Sequence, residues 1–536
     1  MKKIFFYALG LMCSLSAQAS VTTYAYDGDK SEAENGTALQ AAINAASSGD
    51  TLKVQAGTYY GNFTMKEGVN VIGGWNATFT DTTSYATILD ANANGRVVNQ
   101  EAAFDVLTVW ENLTIQNGKF TAQNSDQGGP GVALFANGQV KHCEIRNNIY
   151  TGTSGICNGG GVFNNAYTDK VLVDDCYIHD NQASHGGGVR ICGVIQNSII
   201  ENNTTTNNAC GGVQLHYGGA MYNCIIRGNT GIDTGGVRIT GTKPCSMANC
   251  LIVGNIATNT IGGLQMANDV AHKVYNNTIV GNKQNSSSNA ARCGVHLNVN
   301  ADAEFVNNIV YGNTANNTPQ ADQLQINGNY KSSHSAYFKN NAVVLASTFG
   351  TNTTLLTEDP GFTDISDADV ANNNYSLLWT SSLINAGNDS KVQGSTDLAG
   401  NARKAGDHVD IGAYELPYYT LTIAAFDHAT LTVGGEKKTA DDYSLPKGYT
   451  TTATIVPDKN YSITSVTCGD AILTPEAGSY TLPALLTDMT LTITVQSTPT
   501  GIDDANTAVK AVKVIRNGQL LILRDGKEFN VLGAQL

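Results

Sequence analysis

The 536-residue sequence has few charged residues, and most of those it has are acidic. Lys, Arg, Asp and Glu together make up 14% of the chain, and 31 basic residues against 45 acidic ones give a net charge of −14. Nucleic acid and anionic membranes both favour a basic binding face, so neither is expected as a partner. So low a charged fraction, together with 56 glycines, excludes a mainly helical protein.

Long apolar runs are also missing. Beyond the N-terminus no stretch approaches the ~20 apolar residues that a transmembrane helix needs. At the N-terminus itself, Lys2 and Lys3 precede an apolar run that ends at Ala17-Gln18-Ala19. This pattern predicts a secretory signal peptide over residues 1–19, with cleavage before Ser20. The mature protein is therefore expected outside the cytoplasm, where disulfides can form.

Several local motifs of enzymes are absent. No Gly-Lys-Ser/Thr follows the glycine runs, no His-x-x-x-His pair suggests a metal site, and no nucleophile-elbow motif suggests a serine hydrolase. No cofactor is therefore expected from the sequence.

One six-residue pattern recurs eight times in the middle of the chain, at spacings of 22 to 33 residues. A constant segment at varying spacing indicates one strand per coil of a solenoid, with the length variation in loops. The copies are Asn112–Asn117, Cys143–Asn148, Cys176–Asn181, Ser198–Asn203, Cys224–Asn229, Cys250–Asn255, Asn277–Asn282 and Asn308–Asn313.

A second short segment follows in most coils, usually after a pair of glycines. All but its first copy alternate apolar, polar and apolar, which predicts a half-buried strand. The glycines allow bends or a close backbone approach. The copies are Val132–Leu134, Val189–Ile191, Val213–Leu215, Val237–Ile239, Leu264–Met266, Val295–Leu297 and Leu324–Ile326. Together the two series predict a right-handed parallel β-helix, a pectin-lyase-like solenoid, from about Gly36 to about Glu415.

Stacking of the coils makes predictions for asparagine and cysteine. The final Asn of each motif is expected at a left-handed turn, with its amide in a hydrogen-bonded ladder from coil to coil. Four motif cysteines share one register, and strands about 4.8 Å apart exceed the ~3.5–4.5 Å between Cβ atoms that a disulfide favours. We expect a reduced, buried stack of Cys143, Cys176, Cys224 and Cys250. Pairing stays open for Cys157, Cys192, Cys210, Cys245, Cys293 and Cys468.

The remaining segments suggest caps and further domains. A short helix over Thr37–Ala46, with Leu39 and Ile43 on one face, is expected to cover the N-terminal end of a β-helical domain spanning residues 20–417. Alternating strands predict a small all-β, β-sandwich-like domain over residues 418–497. Residues 498–508 form a linker. Residues 509–536 contain two hairpin signals, Asn517-Gly518 and Asp525-Gly526, and predict a short β module.

Three groups of residues resemble known families. Gly159–Asn165 and Asn223–Asn229 resemble the polymorphic outer-membrane-protein repeats of bacterial surface adhesins. The tail, Asn517–Gly526 with Phe529–Gly533, is similar to type IX secretion sorting domains. Four further segments look like the closing coils of secreted Bacteroidetes-type β-helix proteins: Asp359–Phe362, Tyr375–Leu378, Ser382–Gly387 and Asp410–Glu415.

The resemblance implies a location rather than a reaction. It implies a Gram-negative host, passage through the outer membrane with the type IX secretion machinery as a partner, and release or anchorage at the cell surface. It implies no reaction, because these families include many members without one.

The candidate binding face is the polar column of the second strand series. Stacking is expected to place its middle residues side by side and outward, and to place His216 and Thr240 in a second column two residues further along. The planar guanidinium group of arginine can donate two hydrogen bonds to a uronate carboxylate, and side-chain amides can form hydrogen bonds with sugar hydroxyls. The first column comprises Arg190, Gln214, Arg238, Gln265, His296 and Gln325.

Two functions fit this face, and a solvated sheet surface without a ligand is the plain alternative. The leading hypothesis is a non-enzymatic surface protein that binds extracellular polysaccharide or a host ligand. The second is a polysaccharide lyase, in which a base such as His216 would act beside Arg190 and Arg238, with Ca²⁺ as an optional neutralising ion. A glycoside hydrolase is disfavoured, because the column lacks paired carboxylates. His179, in a different strand, is expected to be an ordinary outward polar residue.

Overall fold

A computed structural model describes residues 19–165, 168, 170–207, 209–286, 294–299, 302–316, 318–319, 323–326, 338–343, 354–355, 359–498 and 511–536. It confirms an all-β architecture in which a right-handed parallel β-helix is followed by smaller sheets. The chain divides into two compact units, Met1–Pro417 and Tyr418–Leu536. None of the helices in the described ranges is long and apolar enough to cross a bilayer. The predicted signal peptide falls almost wholly outside these ranges, as do Cys293 and nearly all of the predicted linker.

Each full coil contributes four strands, so that four sheets run along the β-helix. The repeated motif lies in one twelve-stranded sheet, the motif sheet, and the second strand series lies in a ten-stranded sheet, the arginine sheet. The other two, which the sequence did not reveal, are a twelve-stranded leading sheet before the motif and a nine-stranded short sheet after it.

The strand bounds are as follows. The leading sheet contains Val21–Tyr24, Thr51–Gln55, Asn70–Trp75, Thr108–Glu111, Gly138–Lys141, Leu172–Asp174, Val194–Gln196, Ala220–Tyr222, Ser246–Ala248, Lys273–Tyr275, Glu304–Val306 and Phe338–Lys339. The motif sheet contains Gly57–Tyr60, Thr87–Asp90, Leu113–Gln116, Glu144–Arg146, Tyr177–His179, Ile199–Glu201, Ile225–Arg227, Leu251–Val253, Thr278–Val280, Ile309–Tyr311, Ala342–Val343 and Thr354–Leu355. The short sheet contains Lys119–Phe120, Ile149–Tyr150, Gln182–Ala183, Thr204–Thr205, Thr230–Gly231, Ile256–Ala257, Lys283–Gln284, Thr314–Ala315 and Thr318–Pro319. The arginine sheet contains Phe63–Thr64, Val98–Asn99, Val132–Leu134, Val162–Asn164, Val189–Ile191, Val213–His216, Val237–Thr240, Leu264–Ala267, Val295–Asn298 and Leu324–Ile326.

The asparagine ladder is confirmed, but its left-handed turn lies one residue earlier than predicted. The final Asn of each motif from the second copy onward is buried, and its side-chain amide donates to the next one; Asn203 Nδ2, for example, lies 3.0 Å from Asn229 Oδ1. The positive φ belongs instead to the residue before, such as Asn202 (φ 51°) or Gly228 (φ 62°). The turn thereby directs the following amide inward, where stacking satisfies its polar groups.

The cysteine stack is also confirmed. Cys143, Cys176, Cys224 and Cys250 are buried and carry free thiols. Ser198 continues the same register between the two cysteine pairs, and its hydroxyl accepts the Cys176 N–H at 3.0 Å. The off-register cysteines in the described ranges, Cys157, Cys192, Cys210, Cys245 and Cys468, are likewise buried and free.

A helix packs on the first coil. It spans Glu32–Ala45 and so begins earlier than predicted, because Ser31 and Glu34 form a capping box. Leu39 and Ile43 are buried in the same core as the β-helix strands. Gly36 permits the close approach, since a Cβ there would lie 1.9 Å from the Tyr60 carbonyl oxygen.

The predicted closing coils are the main correction to the fold. Residues 359–417 do not continue the parallel coils but lie across the outer surface of the motif sheet, with one antiparallel strand pair, Phe362–Asp364 and Asn374–Leu377, and a 3₁₀ turn, Val370–Asn372. The outward residues of the later motif strands are apolar and pack against this outer segment; they include Leu251, Val253, Val280 and Ile309. An apolar face needs a cover, and the outer segment supplies it.

In the described residues, the second unit contains nine strands in two sheets and a final three-stranded sheet. A five-stranded sheet and a four-stranded sheet share one buried core. The five-stranded sheet contains Asp442–Pro446, Tyr418–Ile423, Met489–Ser497, Tyr461–Cys468 and Ala471–Ile472. The four-stranded sheet contains Glu436–Lys438, Ala429–Val433, Thr452–Pro457 and Ser479–Thr481. The last sheet contains Val512–Arg516, Gln519–Arg524 and Lys527–Phe529, with positive φ at both predicted hairpin turns.

Candidate functional site

The arginine sheet brings together the residues of the predicted column. Arg190 pairs with Gln214 in the next coil, Gln214 with Arg238, and Arg238 with Gln265. His296 and Gln325 follow in the same register. This register arises because each coil repeats an apolar–polar–apolar strand, whose apolar residues, such as Val213 and Leu215, are fully buried inside the β-helix.

The column is more deeply buried than a solvated sheet surface would be. Gln214 is 8% exposed and His296 is 9% exposed. In the two preceding coils, the equivalent positions, Ala133 and Phe163, are fully covered. Phe163 packs against the backbone at Gly128, where a Cβ would lie 2.3 Å from the ring. The accessible part of the column therefore begins at Arg190.

One side of the column is bordered by residues from the preceding corner of each coil. Thr234 Oγ1 donates to Gln265 Oε1 at 3.3 Å, and Asp233 Oδ2 lies 4.0 Å from Arg238 Nη1. Ser184 Oγ lies 3.0 Å from His185 Nδ1 at the same corner. Ser184 also lines an adjacent depression of about 400 Å³, formed with Thr151, Gly152, Thr153, Gly155, Gln182, Thr206 and Asn207.

Burial, with a smaller contribution from the two arginines, keeps the neighbouring histidines neutral. Burial, then the positive charge of Arg190, lowers the pKa of His216 to about 3, although a hydrogen bond with the Thr240 backbone opposes this shift. Burial followed by Arg190 and Arg238 also lowers the pKa of His185. Both imidazoles are therefore neutral at neutral pH, and the positive charge of the face comes from the guanidinium groups.

Several buried polar atoms of the face lack hydrogen-bond partners among the described residues. They are Gln214 Oε1, His216 Nδ1, Arg238 Nε and Gln325 Oε1. Arg190 differs, since its Nη1 donates to Asn165 Oδ1 at 3.3 Å. A buried polar atom without a partner costs about 1–3 kcal/mol. Because these atoms are also covered from solvent, a ligand would contact the more exposed part of the Arg238 side chain instead.

The second predicted column is only partly polar and accessible. His216 pairs with Thr240, as predicted, and Thr240 Oγ1 donates to Asn268 Oδ1 at 2.6 Å. Cys192 and Ala267, which lie two residues beyond Arg190 and Gln265, are buried at 2% and 9% exposure. The binding face is therefore one column wide over most of its length, and His216 and Thr240 widen it at its centre.

The motif sheet carries a charged network that the sequence did not reveal. His179 is not an ordinary outward residue: its Nε2 lies 3.1 Å from Glu144 Oε1, and its Nδ1 lies 2.7 Å from Asp180 Oδ2. Tyr177 stacks on its ring, with centroids 4.1 Å apart, and donates to Glu201 Oε2 at 2.8 Å. The available signal in the sequence was the polar character of the second and fourth residues in these motif copies.

This network is internally neutralised. Arg227 Nη2 lies 2.9 Å from Glu201 Oε2, and Arg146 Nη1 lies 3.5 Å from Glu144 Oε1. Because its acids and bases already contact one another, it offers a ligand fewer unsatisfied groups than the arginine sheet does. The described residues also contain no group of three or more His, Cys, Asp or Glu side chains that could hold a metal ion.

Comparison with known proteins gives structural likeness only. No protein-family model matches the chain, and no curated protein matches it. The solved structures that it resembles include pectate lyase Pel9A, at 15% identity and a TM-score of 0.39, with 74% of this chain and 97% of that chain covered. The A-module of mannuronan C-5 epimerase AlgE6 from Azotobacter vinelandii has 15% identity and a TM-score of 0.35, covering 61% and 96%. The tailspike protein gp49 of Acinetobacter baumannii bacteriophage Fri1, a capsular polysaccharide depolymerase, has 10% identity and a TM-score of 0.32, covering 90% and 85%. At these values the likeness concerns the fold and leaves the ligand of this chain to be argued from its own residues.

Proposed function

We propose that the protein binds an acidic polysaccharide along the arginine sheet and that this face does not transform it. The observation that carries this proposal is the strand register that aligns the guanidinium groups of Arg190 and Arg238 and the amide of Gln214 on one face of successive coils. The Gln214 amide can hydrogen-bond a sugar hydroxyl, and the Arg238 guanidinium, whose side chain is 26% exposed, can donate to a carboxylate. A host surface ligand of the same chemistry would bind in the same way.

The spacing of the arginines suits a chain of uronic acids. Arg190 and Arg238 lie two coils apart, which is roughly 10 Å at the spacing of neighbouring strands. This separation is comparable to the spread of carboxylates along a uronic-acid chain. Gln265, His296 and Gln325 continue the face beyond Arg238 and would contact further sugar units.

A binding titration tests the proposal. Replacing both Arg190 and Arg238 with alanine should weaken binding of oligomeric uronates by about 2–5 kcal/mol, because each hydrogen bond to a charged group contributes about 1.5–3 kcal/mol. The matched control, Arg516→Ala with Arg524→Ala, removes the same charge from the C-terminal sheet and should leave binding unchanged. Equal affinities of the two double variants for a glycan that the wild type binds would refute the proposal.

A polysaccharide lyase is the second candidate, because the register places His216 in the coil between those of Arg190 and Arg238. A pKa lowered to about 3 makes this imidazole a weak general base, which disfavours the lyase relative to simple binding. A neutral imidazole beside two guanidinium groups could take a proton next to a uronate carboxylate, while the arginines balance the carboxylate charge. For this candidate Ca²⁺ stays an optional neutralising ion beside the two arginines. The test is the ultraviolet absorbance of an unsaturated product. If the wild type forms this product and His216→Ala does not, the protein is a lyase and the proposal of simple binding is wrong.

We also propose that the protein is secreted to the surface of a Gram-negative bacterium. The N-terminal pattern of residues 1–19 and the resemblance of residues 509–536 to type IX secretion sorting domains support this location. The described strands of the C-terminal sheet pair only with one another, which is compatible with a separate sorting module.

A further inference from the structure

Ser84, His142 and Asp175 form a hydrogen-bonded series on the corner between the leading sheet and the motif sheet. Ser84 Oγ lies 3.1 Å from His142 Nε2. His142 Nδ1 lies 2.8 Å from Asp175 Oδ2. These residues are separated by 58 and 33 positions in the sequence, so no local motif could reveal them. The order of contacts, hydroxyl to imidazole to carboxylate, is that of a nucleophile, a general base and an orienting acid.

The corner column shows that His142 and Asp175 are exceptions at their positions. Each coil turns from the leading sheet to the motif sheet through a residue with positive φ, and most of these residues are asparagines. Short polar side chains, and amides above all, suit this backbone. Histidine and aspartate replace asparagine in two successive coils, where Ser84 reaches the column. The corner residues are Asn112, His142, Asp175, Asn197, Asn223, Asn249, Asn276, Asn307 and Asn340.

A long corner loop brings Ser84 to this place. Residues 76–86 connect Asn70–Trp75 to Thr87–Asp90, whereas the next coil makes the same connection with Asn112 alone. The loop is fixed to its own coil, since the Thr83 N–H donates to the Gly74 carbonyl at 2.8 Å. Insertions at one corner of a solenoid commonly serve binding or catalysis.

The neighbouring tyrosine fixes the imidazole. The ring of Tyr85 stacks on His142 with centroids 5.0 Å apart. Tyr85 has a φ of 62°, which is unfavourable for a bulky residue, and its N–H donates to Asn112 Oδ1 at 2.9 Å. Strained backbone of this kind persists where the surrounding structure holds it, and it places Ser84 and the tyrosine ring together against His142.

We propose that Ser84 is the nucleophile of an esterase site, with His142 as the general base and Asp175 as the residue that orients it. If Asp175 accepts the Nδ1 proton, the Nε2 lone pair faces the Ser84 hydroxyl, which is the tautomer that a general base requires. The side chains of His142 and Asp175 are 38% and 65% exposed. Because these groups are exposed, they can reach acyl esters that project from a large substrate, such as acetyl groups on a polysaccharide.

The reaction is an acyl transfer to water. Ser84 Oγ bonds to the ester carbonyl carbon while its proton passes to His142 Nε2; the ester C–O bond then breaks, and the leaving alcohol takes that proton. A water molecule next attacks the acyl-serine and gives a proton to His142. Breaking of the acyl–Ser84 bond releases the carboxylic acid and returns the proton to Ser84. Because the Tyr85 N–H is already bonded to Asn112, that amide does not stabilise the oxyanion, and we expect slow turnover.

Covalent labelling of the full chain tests this site directly. A fluorophosphonate probe should modify Ser84, as located by peptide mass spectrometry, faster than it modifies an exposed serine without an adjacent imidazole, such as Ser366. His142→Ala should slow the labelling of Ser84 by about 100-fold, since general-base catalysis contributes ~10²–10⁴. Asp175→Asn should slow it by about tenfold or more, because it alters the tautomer and orientation of the imidazole.

Further readouts separate this role from a structural one. The wild type should release p-nitrophenol from p-nitrophenyl acetate faster than Ser84→Ala does. Thermal melts should show that the three surface variants remain folded. Labelling of Ser84 at the rate of Ser366, or an undiminished rate in His142→Ala, would overturn the proposal. Since this corner and the arginine sheet are different surfaces, either proposal can fail without the other.

Discussion

Two adjacent residues at each motif turn have opposite requirements. The first adopts positive φ and lies at the corner, as Asn202 does, whereas the second points inward, as Asn203 does. The Asn203 side chain donates to the carbonyls of Ile178 and Glu201 and to Asn229, and its Oδ1 accepts from Asn181. These bonds connect three successive coils, so the ladder stabilises the stacking of coils as well as the individual turn.

A pair of variants separates the two requirements. Asn203→Ala should lower the free energy of unfolding by about 2–4 kcal/mol, because it leaves several buried backbone and amide groups unsatisfied at about 1–3 kcal/mol each. Asn202→Gly should change it by less than about 1 kcal/mol, since glycine adopts positive φ without strain. Denaturant unfolding of both variants provides the measurement. Similar losses at both positions would contradict the assignment of the ladder to the second residue.

The outer segment, residues 359–417, illustrates an element whose stability depends on buried charge. Arg403 is 2% exposed and contacts Glu415 at 3.5 Å, with Asp397 and Asp410 also buried nearby. One guanidinium cannot neutralise three carboxylates, and burial raises the pKa of Asp410 to about 6 and that of Glu415 to about 7. These values exceed the ordinary ones of about 3.9 and 4.3.

The sign of the resulting pH dependence follows from proton binding. Between about pH 4 and pH 7 the folded segment retains protons that the unfolded chain has released, so its stability is highest near pH 4 and falls as the pH rises. Hydrogen exchange of residues 359–417, corrected for the intrinsic rate, should show weaker protection at pH 8 than at pH 5. Glu415→Gln, which mimics the protonated acid, should reduce that difference. Protection that increases with pH would contradict the prediction.

At the scale of elements, regular periodicity decided what the sequence could predict. The motif and arginine strands have conspicuous patterns, and both series were located correctly. The short sheet uses strands of two residues, such as Thr204–Thr205, which are too short to have a recognisable period. The outer segment was misassigned because its contacts are with residues such as Leu251 and Ile309, far away in the sequence. The apolar residues at outward positions of those motif strands indicate that another segment packs over them, and this was the available signal in the sequence.

The candidate sites were likewise predictable only where the sequence is periodic. Register alone placed Arg190, Gln214 and Arg238 side by side, because a β-helix converts a repeated position into a column. Their burial depended on corner residues such as Asp233, which the repeat did not predict. Ser84 and His142 meet through an irregular loop, and no periodic pattern describes a loop.

The whole molecule combines a β-helix with a second compact unit that ends in a three-stranded sheet. If residues 509–536 direct secretion, their deletion should leave the β-helix folded, because the described strands of that module pair only with one another. The truncated protein should then accumulate in the periplasm of the producing cell. Fractionation with antibodies against the β-helix provides the measurement, and normal surface delivery of the truncated form would refute the sorting role.

The central claim is that arginines of the β-helix recognise carboxylates of a polysaccharide, and a double-mutant cycle across the interface tests it most directly. The wild type and Arg190→Ala with Arg238→Ala are titrated with a uronate oligosaccharide and with the same oligosaccharide after reduction of its carboxyl groups. We expect the two proteins to bind the reduced ligand equally well and to differ in binding free energy by about 2–5 kcal/mol with the uronate, since both halves of each charge-assisted pair are then present. The claim would be contradicted if the two proteins differed as much in affinity for the reduced ligand as for the uronate. It would also be contradicted if the wild type bound both ligands with the same affinity.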